Sequence, residues 1–228
     1  LGVYENELWL HLALGTIALL LALIGGRIIP TFTGNWLKAT GRDVSIPAMG
    51  LIDRAGILLT ALSALSWTFL PEQGLTATLL VVAGCALLLR LSRWQGLKTV
   101  REPLIACLHI AYAFLGLSLI VIGLGILVPE DVPAGGGLHL LTAGTIGLMT
   151  VVVMCRALLG HTGRALKSTP LLTGVLGMVI AGGLMRFLAP WWPESYSTFI
   201  TVSGFVWGGG FLVFAFYIGP ILVSGRKG

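Results

Sequence analysis

The chain has 228 residues, 56% of them hydrophobic and 10% charged, with a net charge of +5 and a mean hydropathy of +0.96. A fold surrounded by water has no means of hiding so much apolar surface. With no basic tract interleaved with aromatics to contact nucleic acid, the positive balance reads as anchoring against the anionic lipid of a bilayer.

Apolar stretches fall at 8–29, 55–70, 75–91, 103–128, 137–160, 170–190 and 197–222. A membrane-spanning helix needs about 20 such residues, so the pattern predicts an all-α, polytopic bundle of about seven transmembrane helices. They form a single domain over 1–228, without a soluble module or linker. Leu1 is not an initiator methionine and no basic stretch precedes 8–29. The expectation is therefore the C-terminal part of a longer protein rather than a signal peptide.

Charge then orients the helices. Glu5 and Glu7 precede the first stretch, and Arg27, Lys38, Arg42 and Arg54 follow it. Glu72 lies in the second connection, and Arg90, Arg93, Lys98 and Arg101 lie around the third. Glu130 and Asp131 then alternate with Arg156, Arg164 and Lys167, and Glu194 with Arg226 and Lys227. Thirteen of the fourteen lysines and arginines thus share one side, and only Arg186 departs. Cytoplasmic loops collect Lys and Arg, which predicts an outside N-terminus and a cytoplasmic C-terminus.

The first connection contains Pro30, Gly34, Gly41 and Pro47, which favour turns. Gly25-Gly26-Arg27 and Gly160-His161-Thr162-Gly163-Arg164 read as helix ends where glycine takes the left-handed conformation. Trp36 and Leu37 beside Lys38 suit a segment lying at the interface. The second helix is expected to begin near Ala48, drawing Asp53 and Arg54 into the inner leaflet, at a cost unless they are partnered. Trp67, Trp191, Trp192 and Tyr196 suit an outer aromatic belt, with Trp94 on the inner side. Cys85, Cys107 and Cys155 lie within helices, as packing residues rather than a disulfide framework.

Four histidines are the candidates for chemistry. His11 and His139 each lie a few residues into helices entering from outside, so they occupy matching depths and are the expected pair of iron ligands. His109 lies about two turns into the fourth helix, and His161 closes the fifth. Buried imidazoles in a helical bundle commonly meet haem iron or copper, although one near a helix end also meets water or a carbonyl. Gly144 and Gly147, with Thr142, Thr145 and Thr150, leave a helix face open to another helix or to a flat macrocycle. Met149, Met154 and Cys155 are soft donors suited to Cu(I), or plain packing residues. Arg27, Arg156 and Arg164 suit an anion such as a haem propionate or a phosphate headgroup, with ordinary cytoplasmic anchoring as the competing account. No nucleophile–base pair and no nucleotide-binding motif is present, so no catalytic residue is assigned.

Two segments resemble the NnrS family. One is Gly25-Gly26-Arg27-Ile28-Ile29-Pro30-Thr31-Phe32-Thr33. The other begins Leu138-His139-Leu140-Leu141-Thr142, passes through Gly144, Gly147, Met149, Met154, Arg156 and Leu159, and ends Gly160-His161-Thr162-Gly163-Arg164. The resemblance runs through the chain, against the C-terminal portion of a typical member, whose N-terminal His-x-His-Glu-Met motif has no counterpart here. It implies a bacterial inner-membrane protein of denitrification and nitrosative stress, containing haem and copper. By that resemblance His139, Arg156, His161, Arg164 and Arg27 are the signature positions. The implied reading is a haem b protein that handles nitric oxide, possessing redox activity if it is an enzyme at all. The residues alone leave two alternatives: a cofactor-free transporter using Asp53 and Arg54, and a b-type cytochrome subunit exchanging electrons with quinone.

Overall fold

The computed structural model describes residues 2–223, with side chains from Glu7 onward. Leu1 and residues 224–228, including Arg226 and Lys227, lie outside the described residues, as does the side chain of Glu5. Seven helices make up the described chain: α1 (Gly2–Ala39), α2 (Leu51–Phe69), α3 (Gly74–Ser92), α4 (Pro103–Leu127), α5 (Ala134–His161), α6 (Pro170–Leu188) and α7 (Tyr196–Val223). All except α2 are long and apolar enough to cross a membrane. α2 is as long as α3, but Asp53 and Arg54 occupy its first turn.

α4 is apolar around its whole circumference, the mark of a helix with no face in water, and it sits at the centre of the bundle. α1 and α3 pack on one side of it and α5 and α6 on the other, with α2 joining α1 to α3 and α7 backing α6. Glycines set the closest crossings. A Cβ on Gly84 of α3 would strike the Gly116 carbonyl and Ile120 of α4, and Gly183 of α6 lies against the backbone of Gly144 on α5. In lipid, where apolar contact alone gives little advantage, such backbone-to-backbone approach holds helices together.

The first helix does not end near residue 29. α1 runs through Gly25, Gly26 and Pro30 to Ala39, and the left-handed turn comes at Gly41, with φ +68°. Pro30 has no N–H for the carbonyl four residues back, which would orphan the Gly26 oxygen in a helix interior. Arg90 Nη2 donates to that oxygen at 3.2 Å, and Gly26 has no Cβ to obstruct the guanidinium. The helix therefore continues because a neighbouring arginine completes it. Trp36, Leu37 and Lys38 form the last turns of α1 rather than a separate interfacial segment, and Leu37 is fully buried. At the end of α5 the glycine reading holds, because Gly163 takes φ +68° just past His161.

Two expected belt tryptophans are core residues instead. Trp67 stacks on His11 at 4.7 Å, and Trp94 packs edge-on to Tyr112 beneath Arg90. Trp192 and Tyr196 are exposed, as a belt requires.

Candidate functional site

The basic ends of the helices carry a buried polar network that composition alone does not announce. Arg90, on the last turn of α3, is fully buried. Its Nε donates to Asp53 Oδ1 at 2.8 Å, and its Nη1 donates to the Ala22 carbonyl at 2.8 Å and to the Tyr112 hydroxyl at 3.0 Å. Asp53 Oδ2 accepts from Arg93 Nη1 at 3.0 Å and from the Gly50 amide at 2.9 Å. The partner that Asp53 needs is thus supplied by α3, while its sequence neighbour Arg54 is exposed. The network ties α1, α2, α3 and α4 together.

The histidines lie apart. His11 stacks on Trp67 of α2, with a buried Nδ1 that has no hydrogen-bond partner. His139, on α5, lines a cavity of about 340 Å³ with Thr142, Ala143, Arg186 of α6 and Trp207 of α7. The matched depths of His11 and His139 do not bring their rings together, because each faces different helices. His109 is buried, with Nδ1 3.1 Å from the Ile105 carbonyl and Nε2 3.4 Å from Thr33 Oγ1, so both nitrogens already have protein neighbours. His161 is exposed at the basic end. Among the described residues, no three His, Cys, Asp or Glu side chains assemble as a metal site.

A π-helical stretch, Leu140–Ile146, begins immediately after His139. The Gly147 amide reaches back to the Thr142 carbonyl, five residues away. Such stretches are rare, and they occur frequently at functional sites. It adds a residue to the turn, which rotates His139 by roughly 100° relative to the face that Gly147 and Met149 define. Trp207 holds this geometry in place. Its indole fits against Gly147 while its backbone and Cβ lie against Gly182, and its Nε1–H donates to the Ala143 carbonyl at 3.0 Å. Replacing Trp207 by phenylalanine removes that donor, so thermal unfolding in detergent is expected to show a loss of about 1 kcal/mol.

The two glycines expected to leave a face of α5 open are filled by protein: Gly144 by Phe114 and Gly183, and Gly147 by Trp207. Met149 and Met154 line an apolar groove of about 400 Å³ between α1 and α5, whereas Cys155 is buried in the core. The guanidinium of Arg156 lies 4.0 Å over the Phe32 ring at the basic end of that groove, with its buried Nε unpartnered. Arg27 is exposed and lines a different cavity, and Arg164 is half-buried beyond Gly163. The arginines from α1 and α5 thus serve different neighbours.

Arg90, Arg93, Tyr112 and Trp207 were not legible as site residues. One signal was available: a short connection makes α2 and α3 antiparallel, which sets Asp53 level with Arg90 and Arg93.

An all-helical bundle with six apolar spans and its charged side chains gathered at the helix ends is a multi-pass membrane protein. A family model described as NnrS protein matches residues 2–226, nearly the whole chain, and the chain belongs to the NnrS family. No curated protein and no solved structure matches it.

Proposed function

We infer that this chain works in a bacterial response to nitric oxide, from the inner membrane, and that the cavity around His139 is its reactive site. The observation that carries the reading is the π-helical turn that aims His139 into a cavity shared with Arg186. Membership of the NnrS family, a family suggestive of nitric-oxide-responsive membrane proteins, supports it. Thirteen cations on one side support a cytoplasmic C-terminus.

The residues present fit a group held through one imidazole and one guanidinium, and they do not fit a bis-histidine centre at His11 and His139. Haem b bound at His139 would supply an iron with a position left for a small ligand such as nitric oxide. In that arrangement His139 would hold the iron and Arg186 would pair with a carboxylate of the group, while Trp207 keeps both helices in register. Nitric oxide is neutral and lipid-soluble, so a cavity among membrane helices is reachable from the acyl chains. Copper has less support, because the soft donors of α5 point to different places.

The test is the optical spectrum of the purified protein, with and without nitric oxide. His139→Ala is expected to abolish a haem Soret band or its shift on nitric oxide addition, and His161→Ala to leave both unchanged. A Soret band and nitric oxide response that survive His139→Ala would remove His139 from the site.

A further inference from the structure

α1 and α5 both pack against α4 but touch each other little, and an apolar groove of about 400 Å³ runs between them. The nitric oxide reading makes no use of it. Leu21, Ile24 and Ile28 line it from α1, and Met149 and Val153 from α5. Its rim is open to acyl chains, since Ile24 is 55% exposed and the neighbouring Met154 is 44% exposed.

Both rows of side chains lead to one cation. Four residues after Ile28, on the same face of α1, comes Phe32, and three residues after Val153 comes Arg156. The Arg156 guanidinium lies 4.0 Å over the Phe32 ring. The groove is therefore apolar along its length and closed by a positive charge at its basic end.

Arg156 is not placed as a simple anchor. An arginine that only anchors a helix extends its head into water. Arg156 instead rests on Phe32, with Nε buried and without a hydrogen-bond partner. Its terminal nitrogens make no hydrogen bond either, and they reach the surface. Among the described residues, the ion pairs are those of Asp53, so no carboxylate pairs directly with Arg156. Glu102 acts on Arg156 from beyond ion-pair distance, and its Oε1 is engaged by the Leu104 and Ser168 amides. Arg156 thus keeps donors for an oxygen-rich anion, and a guanidinium fork suits a phosphate.

The length of the groove matches one leaflet. Ile146 is the lining residue of α5 farthest from Arg156, ten positions away, which is roughly 15 Å along a helix. Half of a hydrocarbon layer of about 30 Å is the same distance. A lipid with its phosphate at the guanidinium would lay one chain along the groove and end it near mid-bilayer.

We propose that this groove holds one phospholipid of the leaflet at the basic end, with its phosphate on Arg156 and one acyl chain against Ile24, Met149 and Val153.

The experiment is native mass spectrometry of the full chain in detergent. The probes are phosphatidylglycerol, diacylglycerol with the same chains, and glycerol 3-phosphate. Phosphatidylglycerol is expected to bind at least tenfold more tightly than diacylglycerol, and glycerol 3-phosphate not measurably. Arg156→Gln should remove the preference for the phosphorylated lipid, and Arg156→Lys should keep part of it. Val153→Trp fills the groove without changing any charge, and should weaken both lipids about fivefold. The comparison of the three probes on the parent needs no variant, so it stands even if Arg156→Gln fails to fold.

Equal binding of the two lipids by the parent, a preference that survives Arg156→Gln, or affinity unchanged in Val153→Trp would each overturn the proposal. An equal loss in Arg54→Gln, an exposed cation outside the groove, would reduce the effect to diffuse attraction and overturn it too. A lipid-free dimer that Val153→Trp dissociates would give the groove to a second copy instead. None of these measurements depends on a chromophore at His139, so they stand apart from the nitric oxide reading.

Discussion

Asp53→Ala is expected to destabilise the protein by about 3–5 kcal/mol, the usual consequence of breaking a buried ion pair from one side. Asp53 is 5% exposed and Arg90 is 0% exposed. Removing the carboxylate leaves the Arg90 guanidinium among apolar helices with carbonyls and a phenol, but no opposite charge. The loss also reaches α1, because the same guanidinium satisfies Gly26 and Ala22, and a displaced Arg90 would reopen the backbone gap at Pro30. Thermal unfolding of the purified variant in detergent measures the effect. The double variant Asp53→Leu/Arg90→Met should recover a large part of it, since replacing both charges removes the desolvation cost on both sides. An Asp53→Ala protein as stable as the parent would show that the network is incidental to the fold.

Gly84→Leu is expected to cost at least the 1–3 kcal/mol typical of overpacking, and to lower the yield of monodisperse protein. The argument is steric. A Cβ at this position meets the Gly116 carbonyl and Ile120, and a reciprocal Cβ at Gly116 meets Leu88 and the Gly84 carbonyl. Backbone atoms cannot rotate aside as a flexible side chain can, so α3 and α4 must separate, and they form the most extensive helix pair in the bundle. Gly174→Leu is the control, since a Cβ there has nothing within 4 Å; it should change stability by less than about 0.5 kcal/mol. Size-exclusion profiles and unfolding temperatures that fail to separate the two variants would refute this account of the crossing.

Helix positions were largely readable, because apolar length is a strong signal in a membrane protein. The stretches 103–128 and 170–190 differ by only a few residues from α4 and α6. The end of α1 was not readable from local rules. Pro30 normally stops a helix, and what overrides it is Arg90, sixty residues later in the chain. Charge placement was informative at the level of sides and misleading at the level of partners: Arg90 and Arg93 read as loop cations, yet one of them is interior. The pairing of His11 with His139 rested on depth, which the alternation of helices gives. The direction in which each ring points depends on rotation about the helix axis, and the π-helical turn after His139 changes that rotation without leaving a mark in the apolar pattern. Arg186 stood out as the exception among the cations, and the structure places it beside His139.

Two of the crossings, α3 and α6, and the helix α2 packed against α3 are 19 residues long, and short connections leave them little freedom to extend. At about 1.5 Å per residue each is roughly 28 Å tall, slightly less than an average hydrocarbon layer of about 30 Å. α1 and α7 are longer and accommodate different membranes by leaning, whereas the shorter three have no surplus. Bilayer thickness therefore bears on this protein through its shortest members. A thicker leaflet would draw the ends of α2 and α3, which carry Asp53, Arg90 and Arg93, toward oil.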